Sequence, residues 1–270
     1  MLLVLAAPGA AALVFFFLLP IGFVALDALV DGLGAFYRVF ANPVFWSSLL
    51  GSAILTLTAA SFSLVVGFAV ALHLSRLRPQ ARSALLFVIA LPLTFSGLIV
   101  AFGFILTYGR AGFVTQLLAM AGVDPVAFSG ILYSPVGLAL ASSYYLIPRV
   151  VMLLLPVLIN FEGIQITAAE SLGATRRQAI MHILIPQISP TAVTAFCLIA
   201  AVVFGAYGTA LALVGTRLNI LPLQLYSLIS ETGTDFPAAA ALALLLIAIC
   251  SSIMAVGEVF AARTESPAHR

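Results

Sequence analysis

The chain has 270 residues, of which 63% are apolar and only 7% are charged, against roughly 25% charged residues in a typical soluble domain. So few charges cannot cover a water-soluble fold, which indicates an integral membrane protein. All 11 basic residues are Arg, so a P-loop with its phosphate-binding Lys is excluded. The net charge of +2 gives no indication of a nucleic-acid partner.

Six apolar stretches are each long enough for the roughly 20 residues that a helix needs to cross a bilayer. The first is interpreted as a retained helix rather than a signal peptide, because it lacks a basic start and its apolar run is too long. The prediction is a single all-α membrane domain over 1–270. Its spans are placed near 3–26, 50–74, 84–107, 134–158, 190–213 and 238–260.

The distribution of Arg predicts how the spans are oriented. With the N-terminus in the cytoplasm, seven Arg fall on the cytoplasmic side and three on the outer side. This excess agrees with the positive-inside rule, so both termini are predicted to be cytoplasmic. The cytoplasmic set is Arg76, Arg78, Arg82, Arg176, Arg177, Arg263 and Arg270, and the outer set is Arg38, Arg110 and Arg217.

Five residues in or beside the spans are candidates for lining a translocation pathway, with Ser96 chosen by its position alone. A charge within a span is costly, so Arg149 either lines the pathway or snorkels toward the cytoplasmic surface. Tyr207 stands between glycines, which form either a flexible gate wall or a site of close helix packing. Glu231 and Asp235 either face a delivered cation or a docking protein, or are ordinary exposed carboxylates.

Two helix-start signals lie in the loop after the fourth span. Thr167 and Glu170 have the spacing of a capping box, in which the hydroxyl and the carboxylate each satisfy a free N–H at a helix start. Gly173 is suited to the left-handed conformation that ends a helix. Thr175 and Gln178 then repeat the capping-box spacing.

These signals predict a helix–turn–helix on the cytoplasmic face. The first helix covers 168–172, the second begins after Thr175 and runs to about Leu184, and Pro186 and Pro190 mark where it gives way to the fifth span. Small residues at the bend suit the helix–turn–helix to docking in a groove of another protein. The alternative interpretation is an ordinary re-entry loop. The whole loop is predicted over about 159–187.

The stretch TAAESLGATRRQAIMHILIP in this loop resembles the signature of membrane permease subunits of binding-protein-dependent ABC importers. That signature is Glu-Ala-Ala, three residues, Gly, nine residues and Ile-x-Leu-Pro. Ala168, Ala169, Gly173, Ile183 and Pro186 fall at matching positions, whereas Thr167 stands where the family usually has Glu. Segments such as ALPLTFSGLIVAFGFILTYGRAGFVTQLL look most like the spermidine/putrescine-type branch.

The resemblance implies that this loop is a coupling helix docked in a cleft of a cytoplasmic ATPase. The chain would form half of a pathway with a second permease subunit, two ATPase subunits and an extracytoplasmic solute-binding protein, in a bacterial inner membrane. It would hold no cofactor and would not be an enzyme, because ATP and Mg belong to the ATPase. The implied docking residues are Thr167, Ala168, Ala169, Glu170, Leu172, Gly173, Ala174, Arg176, Ile183 and Pro186.

The substrate that the resemblance favours is a polyamine or similar organic cation. Permeases for iron(III), thiamine, sulfate or phosphonate share the signature and stay open as alternatives. A proton-coupled secondary transporter would need intramembrane carboxylates, and Glu258, at the cytoplasmic end of the sixth span, is the one acid inside a predicted span. A membrane-embedded enzyme is disfavoured because neither HExxH nor GxSxG occurs.

Overall fold

The computed structural model describes residues 8–9, 11–161, 164–230 and 235–265, and over these ranges the chain is helical without strands. Fourteen α-helices are found in the described residues. They are α1 Leu19–Ala28, α2 Gly34–Ala41, α3 Pro43–Ser75, α4 Pro79–Ala90, α5 Gly97–Tyr108, α6 Phe113–Met120, α7 Pro125–Leu132, α8 Pro135–Asn160, α9 Ile164–Ser171, α10 Arg176–Ala179, α11 Ile185–Phe204, α12 Gly208–Val214, α13 Leu221–Ser230 and α14 Phe236–Glu265.

Within the described ranges, six helical stretches are long and apolar enough to cross a membrane, which confirms the predicted all-α fold with six spans. In five of these stretches most residues are not buried within the chain, as a lipid-facing helix allows, whereas Pro135–Asn160 is mostly buried. The six stretches are Ala11–Ala28, Pro43–Ser75, Gly97–Met120, Pro135–Asn160, Arg176–Phe204 and Phe236–Arg263. The limits of the predicted single domain and of its individual spans stay a prediction.

The predicted third span, 84–107, is interrupted in the structure. The helix α4 ends at Ala90, a 3-10 turn covers Leu91–Thr94, and α5 begins at Gly97. The interruption follows from Pro92, which lacks the N–H that an α-helix needs there. Ser96 restarts the helix as its N-cap, because its hydroxyl accepts a hydrogen bond from the N–H of Ile99 at 3.4 Å.

The described chain divides into two compact units. One unit is formed by the residues up to Ser52 together with Leu218–Ile249. Within it, the N–H of Leu221 donates to the Ser52 hydroxyl at 2.9 Å. The carbonyl of Asn219 lies so close to Gly51 that a side chain at position 51 would displace it. Small residues on α3 therefore let the segment before α13 pack directly on the helix backbone.

The second unit covers Ala53–Arg217 and the residues from Cys250 onward. Its centre is α8, which packs against α11 and buries Leu146, Val150 and Leu154 completely. The helix α3 approaches α8 closely, because Gly67 lies against Val150.

Candidate functional site

A helix–turn–helix follows the fourth span in the chain, as the sequence predicts, but its helices begin and end at other residues than predicted. The first helix, α9, begins at Ile164, so the prediction that Thr167 caps its N-terminus is wrong. Gln165 supports the earlier start, because its amide oxygen accepts a hydrogen bond from Gln187 Nε2 at 2.6 Å. Thr167 thus lies inside the helix, where its carbonyl accepts a bond from the Ser171 hydroxyl at 2.9 Å.

The bend of the hairpin confirms the predicted helix stop at Gly173. Gly173 has a φ of +92°, its N–H donates to the carbonyl of Glu170, and the N–H of Ala174 donates to that of Ala169, both at 3.0 Å. This pair of bonds is a Schellman motif, which satisfies carbonyls that the end of a helix leaves free.

The predicted second capping box is also confirmed. The Thr175 hydroxyl accepts from the N–H of Gln178, and Gln178 Oε1 accepts from the N–H of Thr175 at 2.8 Å. The helix that starts here does not end before Pro186 as predicted. It passes through a π-helical turn, Ile180–Leu184, directly into α11. Pro186 thus lies just after this π-helical turn, inside a continuous helix.

We call Ile164–Leu184 the hairpin and 168–174 the hairpin tip. Leu172 at the tip has 90% of its surface exposed. Ala168, Glu170 and Gly173 beside it are exposed, and Ala169 and Ala174 are half-buried. The remaining predicted docking residues lie on the second arm and on the first turn of α11: Arg176 and Pro186 are exposed and Ile183 is half-buried.

Two helix interruptions meet within the second unit. The first precedes α5 at Ser96. The second separates α11 from α12 at Gly205 and Tyr207. The helices α5 and α12 pack along each other, with Gly97 against the Thr209 hydroxyl and Gly208 against the backbone of Leu98.

The same neighbourhood includes Tyr145 and Arg149 of α8. The Tyr145 hydroxyl lies 3.4 Å from the Thr209 hydroxyl. Arg149 is half-buried, donates to the carbonyl of Tyr145 at 2.8 Å and stacks over its ring at 5.5 Å. No carboxylate of the described chain lies within ion-pair distance of Arg149. Of the predicted pathway residues, Ser96, Tyr207 and Arg149 therefore flank one contact between broken helices.

Of the two pathway candidates predicted on the outer side, Asp235 is already bonded within the chain. Asp235 accepts two hydrogen bonds from Arg38, at 2.7 and 3.0 Å, and also caps the first turn of α14 through the N–H of Ala238. Arg38 reaches Asp31 as well, at 3.1 Å. The hydrogen bond from Arg38 lowers the pKa of Asp235 below its usual value. Glu231 lies outside the described residues.

Sequence reasoning missed Tyr145, Thr209 and Arg38. Tyr145 stands four residues before Arg149, a spacing that places both side chains on one helix face and was available as a signal. Thr209 and Arg38 find their partners 64 and 197 residues away. A local pattern does not encode such pairs.

Comparison with known proteins places these features in a family. Residues 63–266 match the family described as "Binding-protein-dependent transport system inner membrane component". The chain is 28% identical over 235 residues to the chloroplastic sulfate permease 2 of Chlamydomonas reinhardtii, covering 86% of this chain and 62% of that protein. It is 25% identical over 234 residues to the sulfate transport system permease protein CysT of Escherichia coli (strain K12), covering 86% and 82%.

Another relative is the spermidine/putrescine transport system permease protein PotB of Salmonella typhimurium (strain SL1344). The identity is 28% over 163 residues, which cover 60% of this chain and 56% of that protein. The match thus spans less than two thirds of both this relative and the Chlamydomonas permease. A chain of a bacterial alginate ABC transporter, solved in complex with an alginate pentasaccharide-bound periplasmic protein, has the same fold: the TM-score is 0.74, at 19% identity, covering 97% of this chain and 94% of that one.

Proposed function

Because this chain belongs to the binding-protein-dependent transport system inner membrane component family, we propose that it forms half of the pathway of an ATP-driven importer. Its partners are a second permease subunit, two cytoplasmic ATPase subunits that hold ATP and Mg, and an extracytoplasmic solute-binding protein. In this proposal the chain performs no chemistry, and the hairpin transmits the movement of the ATPases to the spans. Both termini lie in the cytoplasm.

The observation that carries the proposal is the chemistry of the hairpin tip. Leu172 exposes 90% of its surface, next to small residues that let another backbone approach closely. Full burial of one leucine side chain contributes roughly 1.5–3 kcal/mol, and this contribution is available only if a partner covers the tip. The Schellman motif at Gly173 fixes the tip in advance, so little conformational entropy is lost on docking.

Movement of the hairpin has a direct mechanical path to the spans. The second arm continues through the π-helical turn, Ile180–Leu184, into α11 without a break. Gln187 on α11 is tied to Gln165 on α9 at 2.6 Å, so both arms are linked to the base of the same span. ATPase closure that shifts the tip is thereby expected to shift α11 toward a second, outward-facing arrangement.

Glu170 is proposed to supply the charge that Thr167 lacks at the first position of the motif. Both residues are exposed, and a spacing of three residues puts them on one face of α9. An exposed carboxylate there pairs with a basic group of the ATPase. Glu170→Gln is then expected to flatten the salt dependence of ATPase binding. Unchanged salt dependence would contradict the pairing.

Two substrate classes are associated with the relatives, sulfate and spermidine/putrescine. The polyamine assignment stays a prediction that rests on the likeness of short segments. Substrate choice in such importers is shared with the solute-binding protein, so the hairpin argument holds for either class.

The test replaces Leu172 by Ser in an importer reconstituted in proteoliposomes with its ATPase subunits and loaded binding protein. Stimulated ATP hydrolysis and ATPase affinity are expected to fall about tenfold, because the buried leucine contact is lost. Since the side chain packs on almost nothing within the chain, folding should be unaffected.

The matched control is Met120→Ser at the end of α6, where the side chain is 86% exposed but lies outside the hairpin. This variant should hydrolyse ATP like the unaltered importer. Full stimulation by the Leu172→Ser importer would overturn the docking role of the tip.

A further inference from the structure

A cavity of about 630 Å³ lies at the ends of α5 and α12 that lead away from the helix interruptions. Its lining includes Arg110 and Arg217, the Tyr133 ring, and apolar residues of both helices. In the predicted orientation this end of the helices faces the outside. We call it the Arg110–Arg217 cavity. Its volume suits a small solute or one unit of a longer one.

Tight turns hold the cavity in shape. After α5, the N–H of Gly112 donates to the carbonyl of Gly109 at 2.8 Å, and a Cβ on Gly112 would lie 2.6 Å from the carbonyl oxygen of Thr107. The carbonyl of Arg110, inside this turn, accepts from Gln116 Nε2 at 3.1 Å. On the other wall, Gly215 adopts a φ of +57° just before Arg217. Both arginines thus project from constrained backbone.

The charge of the cavity is positive. No carboxylate of the described residues lies within ion-pair distance of Arg110 or Arg217. The acid nearest to Arg110 in sequence, Asp124, caps α7 by accepting from the N–H groups of Val126 and Ala127 at 3.0 and 3.3 Å. The acid nearest to Arg217 in sequence, Glu231, lies outside the described residues.

Helix dipoles do not cancel this charge. The cavity faces the C-terminal ends of α5 and α12, each equivalent to roughly half a negative charge. The two full positive charges of Arg110 and Arg217 exceed the two half negative charges of the helix ends. Part of the helix-end charge is also screened, because the N–H of Gly109 and that of Gly215 already bond to carbonyls of the last turns.

Among the described residues, no acid forms an ion pair near the meeting point of α5 and α12 in the same unit. Arg149 adds a third cation near the meeting point of α5 and α12, bonded to a backbone carbonyl rather than to an acid. Within the described residues of this unit, Arg110, Arg149 and Arg217 therefore have no carboxylate within ion-pair distance, which is unfavourable for a polycation.

We propose that the Arg110–Arg217 cavity receives a negatively charged oxyanion group of the solute, so that this importer carries an anion. The inference rests on the proposed importer function and on the predicted orientation. Guanidinium groups bind such oxyanions with paired N–H donors, and Tyr133 also lines the cavity. Clefts lined by one sign of charge also raise the local concentration of the opposite ion.

The test measures the charge of the cavity without knowing the solute. Cys197 and Cys250 are replaced by Ala, and Ala111→Cys, which lines the cavity, is compared with Met120→Cys, which does not. Both are labelled in the assembled importer with methanethiosulfonate reagents of opposite charge. The ratio of anionic to cationic rates is expected to be about tenfold higher at position 111. In the Arg110→Gln/Arg217→Gln background it should fall to the value at position 120.

Protection identifies the type of anion. At matched ionic strength, sodium sulfate or sodium galacturonate is expected to slow the labelling of Ala111→Cys, and the more effective of the two distinguishes a sulfate-type from a carboxylate group. Equal ratios at both positions, protection by spermidine, or no protection by either anion would each overturn the proposal.

The two proposals fail separately. ATPase subunits that do not copurify with the permease, or hydrolysis that ignores loaded binding protein, would count against the importer function. An importer that assembles and responds to binding protein but has no anion preference at position 111 would remove the anion inference alone.

Discussion

Gly173 ends the first arm of the hairpin in a backbone conformation that other residues adopt at a cost. Its φ is +92° and no atom lies within 4 Å of the place where a Cβ would be. Gly173→Ala therefore introduces backbone strain without a clash, and we expect it to destabilise the bend by about 1 kcal/mol. Hydrogen exchange of the Ala174 amide, which bonds to Ala169, should quicken about fivefold.

The matched control for this change is Gly103→Ala. Gly103 also has open space around it but lies within the helix α5 with an ordinary φ, so alanine there should be neutral or slightly stabilising. Gly173→Asn should have a smaller effect than Gly173→Ala, because asparagine tolerates the left-handed region. Equal exchange in Gly173→Ala and the unaltered chain would show that the bend carries no strain.

Arg38 and Asp235 are expected to form an ion pair whose strength does not change between pH 5 and 8. Since the pKa of Asp235 is lowered, its contribution is complete above the unfolded value of about 3.9 and is lost as pH falls through the lower folded value. Arg38→Gln should speed exchange of the Ala238 amide about two- to fivefold at pH 7, and 1 M salt should shrink the difference.

Asp31→Asn is the control for the Arg38 variant. It removes the negative charge that lies 3.1 Å from Arg38 but leaves both bonds between Arg38 and Asp235 in place. Exchange of the Ala238 amide should then stay near the unaltered rate. An effect as large as that of Arg38→Gln would mean that Asp31, rather than Asp235, anchors the arginine.

Local chemistry predicted the parts of the site that are made by neighbours in sequence. The stop at Gly173 and the capping box of Thr175 and Gln178 both span six residues or fewer, and the structure confirms them. The contact between Tyr145 and Thr209 joins residues far apart in sequence, so only the packed fold brings them together.

At the scale of elements, α3 and α8 approach closely because α3 presents a glycine. A Cβ on Gly67 would lie 2.6 Å from Val150 Cγ1 and 3.3 Å from the carbonyl of Ile147. One turn away, the hydroxyls of Ser63 and Ser143 bond at 3.1 Å across the same pair of helices. Gly67→Ala is expected to destabilise the fold by about 1–3 kcal/mol through overpacking, measured as a lower thermal midpoint in detergent.

Val150→Ala should partly rescue the Gly67→Ala variant. Shortening the valine removes the methyl groups that the new Cβ would meet, so the two changes together should cost less than the sum of the single changes. Strictly additive costs would mean that the helices separate rather than overpack at this point.

Helix existence was predictable from hydropathy, whereas helix limits depended on tertiary contacts. The apolar runs alone predict six spans, because a helix of that length satisfies its own backbone hydrogen bonds in lipid. The start of α9 at Ile164 and the passage of the hairpin into α11 were mispredicted. A hydrogen bond from Gln187 to Gln165 supports the early start of α9. A π-helical turn before Pro186 lets the hairpin continue into α11.

At the scale of the whole molecule, the family match shows a multi-pass membrane protein. The distribution of Arg predicts which loops face the cytoplasm. Two side chains offer a direct test, because both are almost fully exposed and lie on opposite sides in the predicted orientation. Leu172 at the hairpin tip is 90% exposed and Met120 at the end of α6 is 86% exposed. Similar exposure means that a difference in labelling reports sidedness rather than burial.

With both native cysteines replaced by Ala, Met120→Cys in intact cells is expected to react with a membrane-impermeant maleimide, whereas Leu172→Cys should react only after the membrane is opened. Coexpressed ATPase subunits should then protect Leu172→Cys but not Met120→Cys, since only the hairpin tip docks. The reverse pattern of labelling in intact cells would invert the topology. It would also put the hairpin on the side where no ATPase can reach it, and the coupling proposal would fail with it.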